Sequence, residues 1–77
     1  MDEDILRKRF AENLRYYREE KDYTQRMLAK ELGVQQQHIY RYETMKQDPR
    51  ATFVYKIAKA LDITMDQLFE ERRTDNG

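Results

Sequence analysis

The sequence predicts a small all-α domain, and two features carry that prediction. Its 77 residues include two glycines and one proline against 39% charged residues, so sheet punctuation is sparse and helix-compatible residues abound. Apolar residues also recur three and four positions apart through most of the chain, the repeat of a helix with one buried face. The length allows one domain, near the lower limit of what buries a self-sufficient core. With no cysteine, neither a disulfide nor a thiolate zinc site supplements that core, and a reducing, cytoplasmic setting is expected. The chain has no run of about 18 apolar residues, and it starts on the acidic Met1, Asp2, Glu3, Asp4. Neither a membrane span nor a secretory leader is expected.

The elements follow from spacing and end signals. Leu6, Phe10, Leu14 and Tyr17 share one face of a first helix over Asp4 to Lys21, whose other positions (Arg7, Lys8, Arg9, Glu12, Arg15, Glu19) are charged. Asp22 stops it. Thr24 suits the N-cap of a second helix, Gln25 to Leu32, because its hydroxyl accepts from a first-turn amide. Leu28, Ala29 and Leu32 line its inner face, and Gly33 supplies the left-handed residue that ends it. A third helix, Gln36 to Thr44, buries Ile39 and Tyr42 and leaves Gln36, Gln37, Tyr40 and Arg41 outward. Met45 to Pro49 reads as a loop, since Asp48 before a proline is disfavoured from continuing a helix. Val54, Ile57, Ala58 and Leu61 mark a fourth helix, Arg50 to Leu61. Thr64 with Gln67 fits a capping box that opens a last helix carrying Leu68 and Phe69. The domain is expected over residues 4–72, with flexible ends at 1–3 and 73–77.

Two short helices joined at Gly33, the second showing amide and guanidinium groups, are the parts of a helix-turn-helix. A helix fits the major groove of B-form DNA, where glutamine pairs bidentately with adenine and arginine with guanine. Gln36, Gln37 and Arg41 suit base contact, and Tyr40 suits a thymine methyl or a phosphate. The formal net charge of zero argues the other way. Its distribution restores the case: Thr24 to Arg50 holds five bases (Arg26, Lys30, Arg41, Lys46, Arg50) and three acids (Glu31, Glu43, Asp48). The bland alternatives are a solvated mixed-charge surface and a polar glutamine loop.

Arg18, "TQ" at 24–25, "LAKELGV" at 28–34, "IYRYE" at 39–43 and "KIAKALDI" at 56–63 together resemble the Cro/cI-type phage-repressor family, also called the XRE family. The resemblance covers most of the chain. It implies a compact five-helix, lambda-repressor-like bundle, insertion of the second motif helix into the major groove, and homodimers on two-fold double-stranded operators. Carried onto this sequence, it places Gln36, Gln37 and Arg41 at base-contacting positions. Gln25 falls at a phosphate-contacting position at the start of helix two, with Arg26 beside it, and Thr44, Lys46 and Arg50 fall at phosphate-contacting positions in and after the loop. Arg18 and Glu43 match a partly buried ion pair.

Three family glycines are replaced here by Asp22, Met45 and Asp62. Aspartate tolerates left-handed geometry moderately well and methionine poorly, so the loop after helix three is expected to take another path. Gln35 replaces the usual Ser or Thr cap before helix three. Met65, Leu68 and Phe69, with Tyr55, exceed what a small bundle must bury and are expected to form a self-association patch. His38 is read as a helix-surface residue or phosphate donor, since a lone histidine without cysteine builds no metal site. No cofactor is implied, and no nucleophile, histidine–carboxylate pair or phosphate loop is assembled, so an enzyme is not expected. The function expected is a sequence-specific DNA-binding regulator, most simply a repressor. An antitoxin, a restriction-modification controller and an interaction module that has lost DNA binding stay open.

Overall fold

The computed structural model describes residues 2–72 and contains four α-helices, α1 (Glu3–Glu20), α2 (Gln25–Leu32), α3 (Gln36–Glu43) and α4 (Ala51–Leu61), followed by a single 3₁₀ turn at Asp66–Leu68. No strand occurs among the described residues. The expected flexible end at 73–77 lies outside them, as does Met1. At the other end Asp2 caps α1 through the Asp4 amide and Glu3 opens the helix. One core unites all the elements: Phe10 and Leu14 of α1, Leu28 and Ala29 of α2, Ile39 and Tyr42 of α3, Val54, Ile57 and Leu61 of α4, and Leu68. Each fully buried aliphatic or aromatic side chain contributes about 1.5–3 kcal/mol over leaving it in water.

The fifth helix is a correction. Thr64 and Gln67 do form the reciprocal cap, with the Gln67 side chain accepting from the Thr64 amide at 2.8 Å and the Thr64 hydroxyl from the Gln67 amide at 3.1 Å. The helix nevertheless ends after one 3₁₀ turn. Asn13, buried in α1, donates its amide nitrogen to the carbonyls of Leu68 (3.1 Å) and Glu70 (2.9 Å), which draws residues 68–72 along α1. The Arg72 guanidinium lies 3.4 Å from the Tyr16 ring centroid and donates to the Asn13 side-chain oxygen Oδ1 at 3.3 Å. Leu68 is also corrected as a self-association residue, because it is wholly buried in the chain's own core. Phe69 is half-buried and stacks on Phe10 with centroids 5.7 Å apart. Of the apolar residues expected to form the patch, Met65 and Tyr55 remain exposed.

All four α-helices close in one way. A residue in the left-handed region follows each, at Asp22 (φ 60°), Gly33 (φ 74°), Met45 (φ 64°) and Asp62 (φ 59°). The next amide then reaches back five residues: Tyr23 to the Arg18 carbonyl at 3.0 Å, Val34 to Ala29 at 3.0 Å, Lys46 to Arg41 at 2.8 Å and Ile63 to Ala58 at 2.9 Å. This is the Schellman closure, which satisfies carbonyls that a helix end otherwise leaves bare. Met45 therefore keeps the left-handed turn that its side chain disfavours, contrary to the expected change of path. The Lys46 amide bond and the burial of Tyr42 on one side and Val54 on the other leave the chain no looser route. The strain stays in the folded state, about 1–2 kcal/mol for an L-residue held in this region.

Relieving that strain gives a prediction. Met45→Gly will stabilise the protein by about 1 kcal/mol, which in a domain of this size raises Tm by roughly 4–8 °C. Thermal unfolding followed by circular dichroism will show the rise; an unchanged or lower Tm would mean that Met45 contributes packing that outweighs its backbone cost.

Candidate nucleic-acid interface

α2 and α3 are held at their elbow by a short list of contacts. Thr24 caps α2 by accepting from the Met27 amide at 3.0 Å. Gly33 turns the chain, and Leu28, Ala29 and Ile39 bury the facing sides of the two helices. Gln35 occupies the N-cap of α3 with no side-chain hydrogen bond; in the first turn the His38 amide bonds the Gln35 carbonyl at 3.0 Å instead. Burying Ile39 and Tyr42 rotates the opposite face outward: Gln36, Gln37, Tyr40 and Arg41 are all exposed, Tyr40 at 48%.

An ion pair ties this motif to α1. Arg18 donates from Nε to one Glu43 carboxylate oxygen at 2.7 Å and from NH2 to the other at 3.0 Å, while its NH1 donates to the Tyr23 carbonyl at 2.7 Å. Both side chains are almost completely covered, at 9% and 5% exposure. Glu43 raises the Arg18 pKa above its ordinary value through that fork, against the opposing cost of burial. The same carboxylate accepts from the Gln25 amide nitrogen at 3.0 Å, and the Gln25 oxygen faces the Gln36 amide nitrogen at 3.4 Å. Four side chains from three helices thus form a line, Arg18 to Glu43 to Gln25 to Gln36, that runs from the interior to the exposed start of α3.

The remaining residues singled out in the sequence fall around this line. Gln25 is half-buried beside it, and Arg26 is exposed on the next position of α2. Thr44 is exposed, but its hydroxyl donates to the Tyr40 carbonyl at 2.7 Å and so serves the helix end in this state. Lys46 and Arg50 are exposed on the loop that follows, Arg50 standing at the N-cap of α4. His38 is half-buried, and its Nδ1 is buried with no hydrogen-bond partner among the described residues.

Charge pairing is uneven across this surface. The three acids of the segment 24–50 are each engaged: Glu43 by Arg18, Asp48 by Arg7 at 2.6 Å, and Glu31 by the Tyr23 hydroxyl at 2.7 Å. Among the described residues, Arg26, Lys30, Arg41, Lys46 and Arg50 make no ion pair. A molecule of zero net charge therefore leaves a local set of uncompensated cations on the α2–α3–loop side. Sequence reasoning missed Asn13 and Arg7, whose partners lie 55 and 41 residues away and leave no local signal. No group of three or more histidine, cysteine or acidic side chains capable of holding a metal occurs among the described residues. No helix of the described residues is long and apolar enough to cross a membrane.

Comparison with known proteins points the same way. A helix-turn-helix family profile matches residues 14–68. An uncharacterized HTH-type transcriptional regulator of Methanocaldococcus jannaschii is 41% identical over 56 residues, 73% of this chain and 85% of that protein. The crystal structure of a hypothetical transcription factor, NHTF, from Neisseria superposes with a TM-score of 0.82 at 28% identity, covering 91% of this chain and 80% of that one. The restriction-modification controller protein C.AhdI from Aeromonas hydrophila superposes with a TM-score of 0.76 at 29% identity, covering 86% of this chain and 93% of that one.

The buried pair generates its own test. Glu43→Leu leaves a covered guanidinium without its counter-charge and will destabilise the fold by about 3 kcal/mol, whereas Arg18→Met combined with Glu43→Leu will cost less than either of these single changes. Urea unfolding of the three variants decides the matter; additive losses would show that the two side chains act independently.

Proposed function

The chain belongs to the XRE-type helix-turn-helix family of DNA-binding transcriptional regulators, and from that premise we propose that it is a repressor acting as a homodimer on a two-fold operator. α3 lies in the major groove, where Gln36, Gln37 and Arg41 read base edges and Tyr40 meets a thymine methyl or the backbone. Gln25, Arg26, Thr44, Lys46 and Arg50 contact phosphates. They fix register and orientation and carry no sequence information themselves. The observation that supports this reading above all is the exposure of one polar face of α3 while Ile39 and Tyr42 on the opposite face are buried.

Gln25 has a specific place in this scheme. One hydrogen of its amide nitrogen goes to Glu43 and its oxygen accepts from the Gln36 amide group, which leaves its second amide hydrogen for a phosphate and the far end of Gln36 for a base. The two ends of the contact are then set before DNA arrives, which lowers the ordering cost of binding. A neutral molecule with a locally positive face binds non-specific duplex modestly, so discrimination rests on these base contacts. Self-association uses the surface around Tyr55, 53% exposed, and Met65, 38% exposed, next to half-buried Ile63.

A second reading, control of a restriction-modification locus, is favoured by the likeness to the controller protein of Aeromonas hydrophila. It shares the same interface and differs in the genes regulated. The third possibility, an interaction module without DNA binding, gains nothing from the replacement of a family glycine by Met45. Met45 holds the left-handed turn, so the loop bearing Lys46 keeps its path.

Selection from random duplexes will return an enriched two-fold motif. Against it, Gln36→Ala or Arg41→Ala will cost about 1–3 kcal/mol and relax preference at one position per half-site, while Gln25→Ala will weaken all sequences alike. Parent-like binding by both recognition-helix variants would refute the assignment. In sedimentation, Tyr55→Glu with Met65→Glu will shift the protein to monomer; an unchanged dimer would place the interface elsewhere.

A further inference from the structure

The loop between α3 and α4 has little to hold it. Among the described residues no backbone hydrogen bond involves Gln47, Asp48 or Pro49. The tether is a side chain: Asp48 receives a two-pronged contact from Arg7, Nε to Oδ1 at 2.6 Å and NH2 to Oδ2 at 3.1 Å, across 41 residues of sequence. The third nitrogen of Arg7, NH1, donates to Asp4 at 2.7 Å, which fixes the fork to the first turn of α1. A planar guanidinium gripping a carboxylate at both oxygens sets orientation as well as distance. The Asp48 carboxyl is held below its ordinary range chiefly by its hydrogen bonds to Arg7, so the pair is fully ionised at neutral pH.

The position of Asp48 gives the contact a consequence beyond stability. It stands between Lys46 and Arg50, both exposed and neither in an ion pair among the described residues. An unpaired carboxylate there would repel the phosphates those two cations are proposed to meet, and an untethered loop would leave the cations to be ordered at the moment of binding. We propose that Arg7, on the first helix and outside the helix-turn-helix, is a positioning residue for DNA binding: its fork draws the Asp48 carboxylate onto α1, which neutralises it and fixes the loop that presents Lys46 and Arg50. The inference rests on the phosphate-contacting role of that loop. It adds that α1 controls the loop at two points, through Arg18 on Glu43 at the end of α3 and through Arg7 on Asp48, two residues before Arg50.

The test measures fluorescence anisotropy with a labelled mixed-sequence 30-base-pair duplex at low salt, using variants that circular dichroism shows to be folded at the working temperature. A mixed-sequence probe reports phosphate contact alone, so the result does not depend on the base-reading assignment of α3. Arg7→Ala will weaken binding several-fold, on the order of fivefold, whereas Lys8→Ala, the same charge change on the adjacent exposed position, will weaken it by less than twofold. In an Asp48→Asn background Arg7→Ala will have little further effect, because the carboxylate it restrains is gone. Three results would overturn the proposal. Equal losses in both backgrounds would make Arg7 a direct phosphate contact, equal losses for Arg7→Ala and Lys8→Ala would reduce the effect to overall charge, and an unchanged affinity would leave the pair a matter of stability only. If Lys46→Ala and Arg50→Ala also bind as the parent does, the phosphate role of the loop fails, a result separable from failure of the Arg7 coupling.

Discussion

The covered fork between Arg18 and Glu43 is the constraint on which the geometry of this protein depends. Most of the free energy that holds α3 in place comes from burying Ile39 and Tyr42, at about 1.5–3 kcal/mol for each side chain. Apolar burial is indifferent to small rotations, however, and a bidentate ion pair is not. Its net stabilisation after desolvation is small, so its contribution is directional. With Glu43 fixed at the last turn of α3 and Gln25 bound to the same carboxylate, the first turns of α2 and α3 acquire a defined relation, and the exposed end of Gln36 inherits it.

Electrostatics follow from the same arrangement. Net charge alone would discourage a nucleic-acid reading, since fifteen bases balance fifteen acids. The fold sorts them. Arginines of α1 occupy Glu43 and Asp48, which takes two acids off the account of the helix-turn-helix and loop while their neighbouring cations stay unpaired. Charge that cancels in the sum need not cancel at a surface, because pairing at contact distance removes an acid's field locally while an unpaired cation's field extends about a Debye length.

Much of this was legible in the chain itself, for identifiable reasons. Phe10, Leu14, Leu28, Ile39, Val54, Ile57 and Leu61 announce the core because helical burial is periodic, and Thr24 and the Thr64–Gln67 pair announce helix starts because caps are local chemistry. Long-range contacts have no such signature. Asn13 looks like one more polar residue on an amphipathic helix, yet it captures the carbonyls of Leu68 and Glu70, cuts the last helix to a single turn and pulls Leu68 into the core. Met45 shows local preference losing to closure of the helix: a residue disfavoured at positive φ sits there because the Lys46 amide and the flanking core residues require it. Sequence patterns therefore located the polar face of α3, while the 25–43 contact that steadies it and the Arg7 fork that holds the loop after it emerged only from the fold.

The most direct test of the account is an NMR titration of the amide-labelled protein with a duplex carrying its selected motif, read as shift changes along the chain. The account predicts the largest changes at 25–26, 36–41 and 44–50, with small ones along the exposed side of α1. Changes concentrated on the outer faces of α1 or α4, with 36–41 undisturbed, would contradict it, since the helix turned outward by Ile39 and Tyr42 would then not be the one that meets DNA.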